Sequence, residues 1–284
     1  MKTQKVWFVT GASKGLGLSL VKRLLNEGYK VAATSRDVYS LTEAVGYEGS
    51  EFLPLGVDVV DDRGVADAIA EVIATFGTID VVVNNAGYGQ LGTLEELSDS
   101  EARQNFDANV FGSLNVIRHV MPHFRAKKGG AFFNISSIAG FLGGFPGWGV
   151  YNASKFAVAG FTEALAAEVK SFGISATIVY PGYFKTNFLY HGSLRLAANP
   201  IQEYTEAREL EVVHFEQIVG NQPGDPEKAA AAFIKVAESE NRPLHLFLGS
   251  DSFGMAKSKL ELVEKDLEAF ESISKSTDYS AVAQ

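Results

Sequence analysis

Val6-Trp7-Phe8-Val9-Thr10-Gly11-Ala12-Ser13-Lys14-Gly15-Leu16-Gly17 passes directly into Leu18-Ser19-Leu20-Val21-Lys22-Arg23-Leu24-Leu25. The first five residues are apolar, β-branched or aromatic, the pattern of a buried strand. The second run has helical spacing and stops at Gly28. Lys30 to Thr34 is again strand-like. A strand, a glycine loop, a helix and a second strand form a unit that builds parallel sheets.

The loop joins strand to helix at the place where a helix start offers free N–H groups and a positive dipole to an anion. Its spacing is G-x-x-x-G-x-G over Gly11, Gly15 and Gly17, which differs from the common G-x-G-x-x-G dinucleotide fingerprint. A tight strand–helix turn is the structural alternative. If a dinucleotide lies here, the end of the second strand chooses it. An acid there favours NAD, whereas an arginine accommodates the 2′-phosphate of NADP. The chain reads Thr34-Ser35-Arg36-Asp37. Ser35 stands where the NAD-selecting acid would sit, and Arg36 and Lys14 supply positive charge, so NADP (NADPH) is expected over NAD. Asp37 is the counter-signal, and two solvated charges are the bland reading of Arg36 and Lys14.

Further strands are expected over Glu51 to Leu55, Ile79 to Val83, Gly130 to Ile135 and Ile174 to Val179. Asp61 or Asp62 caps a helix ending near Phe76. Ser98 or Asp99 starts a long helix with Phe106, Val110, Leu114 and Ile117 on one face. Asn109 lies inside that helix and either faces solvent or holds open a local bend. Pro122 is expected to end or kink it, and His119 and His123 read as surface residues. Strand ends carry polar and glycine signals: Asp58-Val59, Asn84-Asn85-Ala86-Gly87, Ser136-Ser137 and Pro181-Gly182-Tyr183-Phe184-Lys185-Thr186. Small and amide residues at strand ends suit a ligand crevice.

Tyr151 and Lys155 are four apart at the start of an apolar helical run, which stacks them on one face. A phenol has a pKa of about 10, and a nearby ammonium pulls it down. Such a pair can act as a tuned general acid/base. Alone it is an ordinary surface coincidence.

With 284 residues, the chain suits one large α/β domain. The net charge of −9 argues against a nucleic-acid partner. The absence of cysteine excludes disulfides, thiolate metal sites and a cysteine nucleophile. Met1-Lys2-Thr3-Gln4-Lys5 leads straight into a strand without a signal-peptide core, and no apolar run reaches membrane-spanning length. A cytoplasmic protein is the expectation.

Taken together, Thr10-Gly11-x-x-x-Gly15-x-Gly17, Asp58-Val59, Asn84-Asn85-Ala86-Gly87, Asn109, Ser137, Tyr151-x-x-x-Lys155 and Pro181-Gly182 with Thr186 resemble the short-chain dehydrogenase/reductase family. The likeness runs from Val6 to about Thr186, plus a last strand near Leu244 to Leu248. It implies a Rossmann-like, doubly wound parallel sheet of about seven strands with helices on both faces, a three-layer αβα domain. It implies that Tyr151 is the proton donor or acceptor and that Ser137 orients and polarises the substrate oxygen. Lys155 would lower the phenol pKa and hold the nicotinamide ribose. Asn109 would anchor a proton-relaying water. The implied cofactor contacts are Gly11, Ser13, Lys14, Gly15, Leu16, Gly17, Ser35, Arg36, Asp58, Val59, Asn85, Ala86, Gly87, Tyr151, Lys155, Pro181, Gly182, Phe184 and Thr186. From Ser137 to Tyr151 is 14 residues (151 − 137), one more than the common family gap. Ser136 is the other candidate; Ser137 precedes the Ile138-Ala139-Gly140 turn as the family pattern has it. A homodimer or homotetramer is implied.

The substrate wall is expected to include Tyr88, Phe141, Leu142, Phe145, Trp148, Tyr183, Phe188 and Leu189, which points to a bulky hydrophobic or aryl ketone or its alcohol. The same residues also suit core or subunit contacts. Residues 187–224 read as a lid insertion within the single domain 1–284. Asp225-Pro226-Glu227 starts a helix. Residues 253–274 read as an amphipathic C-terminal helix and 275–284 as a loose tail. The reaction expected is NADP(H)-dependent interconversion of a ketone or aldehyde and an alcohol. A non-catalytic NADP-binding sensor and an NAD-dependent epimerase or dehydratase are the rivals. The sensor has no reason to keep Asn109, Ser137, Tyr151 and Lys155 together, and Arg36 speaks against the NAD enzyme.

Overall fold

Parallel pairing of seven buried strands organises the computed structural model, which describes residues 4–189 and 193–279. The strands are β1 (Val6–Val9), β2 (Lys30–Ser35), β3 (Phe52–Gly56), β4 (Val81–Asn84), β6 (Gly130–Ile135), β7 (Ile174–Pro181) and β9 (His245–Leu248). Their order is β3-β2-β1-β4-β6-β7-β9, every pair parallel. The order reverses between β1 and β4, which opens a crevice at the carboxyl ends of the strands.

Helices cover both faces because the strands are apolar on both sides. α1 (Gly15–Asn26) and α8 (Pro226–Glu238) bury Leu20, Leu24, Phe233 and Ile234 against Trp7, Val9 and Phe133. α3 (Asp62–Phe76), α5 (Gly112–Lys127) and α6 (Gly149–Val169) bury Ile69, Val120, Phe124 and Leu165 against Phe8, Val82 and Phe132. α2 (Val38–Val45) follows β2, and α4 (Asp99–Phe106) leads into α5.

Two features depart from simple periodicity. A π-helical turn, Asp107–Phe111, joins α4 to α5 and carries Asn109. Pro122 neither ends nor breaks α5, which runs on to Lys127; Pro122 is solvent-exposed, so water can serve the carbonyl it leaves without a donor. His123 is also not a free surface residue, since its Nε2 accepts from the Ile79 N–H at 3.1 Å and fixes the start of β4.

The described part of the segment expected as a lid, 187–189 and 193–224, holds α7 (Thr205–Val212) and a second π-helical turn, Val213–Ile218. Part of it, β8 (Leu194–Leu196), pairs in parallel with the short β5 (Gly89–Leu91), which follows β4. Expectations for residues 190–192 of the lid, for Met1 to Thr3 and for residues 280–284 of the tail lie outside the described residues. α9 (Ser250–Ala269) is tied to β7 by the Ser252 hydroxyl, which donates to the Tyr180 carbonyl at 2.7 Å. Beyond its first turns α9 is exposed, and α10 (Glu271–Lys275) continues it, so helix extends into the segment expected to be tail. No described helix is long and apolar enough to cross a membrane.

Candidate active site

A cleft of about 490 Å³ opens at the sheet's carboxyl edge. One wall is the glycine loop. Gly11 has φ +65°, and a Cβ there would lie 2.7 Å from the Ala86 Cα, so the loop and the Asn84–Gly87 strand end meet backbone to backbone. Thr10 Oγ1 accepts from the Asn85 and Ala86 N–H groups, and the Asn85 amide donates back to the Thr10 and Gly11 carbonyls. Gly17 is not a cleft residue, contrary to expectation. A Cβ there would stand 2.5 Å from Asn85 Nδ2, so this glycine lets the helix pack under the loop.

The loop's polarity fits a dinucleotide phosphate. α2, α3, α4 and α8 each carry a side-chain cap, from Asp37, Asp61, Ser98 and Asp225. α1, like α6, α7 and α9, has none, and its first residues Gly15 and Leu16 line the cleft. Its free amides and dipole therefore face the cavity. Lys14 and Arg36 line the same end. Burial, and then the Arg36 charge, hold the Lys14 ammonium below its usual pKa. Two cations at one end of the cleft suit an anionic ligand. Asp37, the counter-signal in the sequence, is occupied: it caps α2 through the Tyr39 and Ser40 N–H groups and the Ser40 hydroxyl. Ser13, Ser35, Asp58, Val59, Ala86, Gly87, Pro181, Gly182, Phe184 and Thr186 also line the cleft.

Ser137, Tyr151 and Lys155 line the same cleft. Ser136 and Ser137 have different work. Ser136 is buried, and its hydroxyl donates to the Lys155 carbonyl at 2.8 Å. Ser137 lines the cleft, its hydroxyl accepts from the Ala139 N–H at 3.1 Å, and it favours the charged form of the Tyr151 phenol. Lys155 is buried, with Nζ donating to the Ile135 carbonyl at 2.8 Å and 5.8 Å from the Tyr151 ring centre. Burial raises the phenol, only partly opposed by Ser137, and burial lowers Lys155 to about 8.

Asn109 sits behind this group, 1% exposed. Its Oδ1 accepts from the Tyr88 N–H, and its Nδ2 faces the Tyr88 carbonyl, Asn105 Oδ1 and Ser154 Oγ. With both ends of the amide engaged, the side chain braces the cleft wall rather than lining it.

The far end is aromatic. Tyr88, Phe145, Trp148, Tyr183, Phe188 and Leu189 line it as expected. Phe141 and Leu142 do not. Phe141 packs edge-on against Tyr180 and Phe247 in a separate cluster, where the β7–β9 pair offers it a dry face. Leu142 is held away on the backbone of the preceding 3₁₀ turn through the Ile138 carbonyl. Three lid residues line the cleft without having been read from the sequence: Ser193, Arg195 and His214. The Arg195 guanidinium lies 4.2 Å over the Tyr88 ring. Only β8–β5 pairing brings it there, so no local pattern announces it.

The short chain dehydrogenase family model matches residues 5–192. The chain is 34% identical over 271 residues to an oxidoreductase of Botryotinia fuckeliana, covering 95% of this chain and 98% of the relative. It is 34% identical over 247 residues to a 3-ketodihydrosphingosine reductase of Bacteroides thetaiotaomicron, covering 86% and 88%. A short-chain dehydrogenase structure from Streptomyces avermitilis superposes with TM-score 0.89 at 35% identity, covering 98% of this chain and 100% of that one. The structure of ElxO with NADP bound superposes with TM-score 0.73 at 26% identity, covering 89% and 100%. With its doubly wound sheet, its uncapped glycine loop and this family match across most of its length, the chain belongs to the short-chain dehydrogenase/reductase family of oxidoreductases.

Proposed function

We propose that the protein reduces a bulky hydrophobic or aryl ketone with NADPH, or runs the reverse oxidation. The observation that carries this reading is that Ser137 and Tyr151 line the same cleft as the glycine loop, with the Trp148 and Phe188 rings 5.4 Å and 6.1 Å from the Tyr151 ring. Gly11, Ser13, Lys14, Gly15 and Leu16 would hold the pyrophosphate side of the cofactor. Asp58 and Val59 would hold its adenine, and Asn85 to Gly87 its ribose region. Lys155 would hold the nicotinamide ribose, and Pro181, Gly182, Phe184 and Thr186 the nicotinamide end. Arg36 with Lys14 would take the 2′-phosphate, because Ser35 puts no acid at that strand end and Asp37 is spent on capping. The bound cofactor supplies the hydride.

The chain's own residues handle orientation and the proton. Ser137 Oγ and the Tyr151 hydroxyl would together orient a carbonyl oxygen in the cleft. Burial keeps the proton on Tyr151, so the phenol stands ready as the acid in the reductive direction. Lys155, held near 8, can return a proton close to neutral pH. Asn109 keeps the π-helical turn and the Tyr88 backbone in place behind that path. The aromatic wall and the lid exclude water. The ketone-reductase name of the Bacteroides relative supports the reductive direction.

The test is loss of reduced-nicotinamide absorbance with aryl and long-chain ketones, run with NADPH and with NADH. NADPH oxidation that depends on ketone, and a slower rate with NADH, is the expected result. No ketone-dependent oxidation with either cofactor would remove the assignment.

A further inference from the structure

The lid delivers His214 into the substrate end of the cleft, and its hydrogen bonds fix what Tyr183 can offer a ligand. His214 is 2% exposed, on the second π-helical turn. Register shifts of this kind often mark functional positions. Its Nδ1 lies 2.8 Å from the Leu210 carbonyl, and its Nε2 2.8 Å from the Tyr183 hydroxyl. A carbonyl only accepts, so Nδ1 carries the proton. Burial disfavours the imidazolium and holds His214 neutral, outweighing the Leu210 bond that favours charge. Nε2 is therefore a lone pair, and the Tyr183 O–H must donate to it.

This commits the only phenol proton of Tyr183. Burial, and then the Asp251 charge, push that phenol up to about 12, so the proton stays on it. What remains on the Tyr183 oxygen is acceptor capacity alone. The loop beneath is held from two sides. Asp251 Oδ2 accepts from the Tyr183 N–H at 2.7 Å, and the Gly224 N–H donates to the Tyr183 carbonyl at 2.9 Å. Trp148 packs on both sides of the site, 5.1 Å from the His214 ring and 5.4 Å from the Tyr151 ring.

We infer that Tyr183, set by His214, is a hydrogen-bond acceptor subsite that selects ketones carrying a hydroxyl or amine donor on the arm facing the lid. The inference rests on the ketone reading above. It gives the site a polarity: donors from Ser137 and Tyr151 at the reacting oxygen, and an acceptor at Tyr183. A donor on the substrate satisfies that acceptor, whereas an ether or a bare methylene leaves it unpaired in a desolvated pocket. His214 acts through Tyr183 and is a positioning residue.

The experiment compares α-hydroxy and β-hydroxy aryl ketones with their methyl ethers, which keep similar electron withdrawal and lose the donor. For the better-placed hydroxyl, kcat/KM should exceed that of the ether about tenfold, the worth of one net hydrogen bond. Tyr183→Phe should bring the ratio to about one. His214→Phe, which frees the Tyr183 proton to donate, should lower it too, and His214→Gln, whose amide oxygen can accept, should restore it. A ratio near one for both pairs in the native protein, or a ratio that survives Tyr183→Phe, would overturn the inference. Binding of the same ketones to the Trp7→Phe protein loaded with NADP⁺, followed by the fluorescence of its remaining Trp148, separates this from the broader reading. If no ketone is reduced yet hydroxy ketones bind more tightly through Tyr183, the reductase reading fails and the subsite stands. If all are reduced without preference, the reverse holds.

Discussion

At the phosphate end of the cleft, Gly11 and Ala86 meet through main-chain atoms, and a single added Cβ would collide. At the substrate end, Tyr183, Trp148 and His214 meet through side chains brought from a strand end, a loop and a lid helix. The first wall is set by backbone geometry that a few short motifs encode. The second is set by packing between segments distant in the chain, so its composition can change while the fold stays. Chemistry common to the family can sit on the rigid wall, with selectivity on the adaptable one.

Substitutions can break or sharpen this contrast. The largest effect is expected where the two walls join. Tyr151→Phe should lower turnover by about 10² to 10⁴-fold while NADPH fluorescence still reports binding. Next comes the rigid wall. Ser35→Asp combined with Arg36→Ala should shift the ratio of NADPH to NADH efficiency by about 10- to 100-fold, the range for hydrogen bonds to a charged group; an unchanged ratio would refute the 2′-phosphate role.

The lid offers a smaller effect. Glu96 is buried and accepts from the Thr93 and Ile201 N–H groups, each at 2.6 Å, and from Arg208 at 3.0 Å. Burial opposes its charge, but these donors outweigh burial and hold its carboxyl below the usual range. Their support is present above the ordinary glutamate pKa and is lost as pH falls through the lowered one. Glu96→Gln should raise KM several-fold, with less effect on kcat, and speed proteolysis within residues 193–224. Equal losses of kcat and kcat/KM would place Glu96 in the chemistry instead.

The smallest effect concerns Lys155 in the protein without cofactor. Its pKa is about 8 when folded, against 10.5 for a free lysine side chain. The unfolded chain binds the extra proton between these values, so this group's contribution to stability rises with pH from about 8 to 10.5. Denaturant midpoints should show that rise in the native protein and a smaller one in Lys155→Met.

The same contrast decides what the sequence reveals. Gly11, Gly15, Ser137, Tyr151 and Lys155 lie in short runs at strand and helix ends, where local pattern and position coincide. Gly17 was misplaced because the motif shows a required glycine without showing whether ligand or backbone requires it. Phe141 was misplaced because an aromatic loop residue has two dry surfaces to choose from, and β9, a hundred residues on, supplies the nearer one. His214 is 31 residues from Tyr183, and no periodicity joins them. The π-helical turn that turns Asn109 inward was not legible, since one extra residue per turn leaves the apolar face nearly intact.

The most direct test of the account is deuteride transfer from 4-deuterated NADPH to ketone, read at the carbinol carbon of the product. The account predicts deuterium there with the native protein and at most about one hundredth of the rate with Tyr151→Phe, although both bind NADPH. No transfer by the native protein to any aryl or long-chain ketone, or comparable rates for the two proteins, would contradict it.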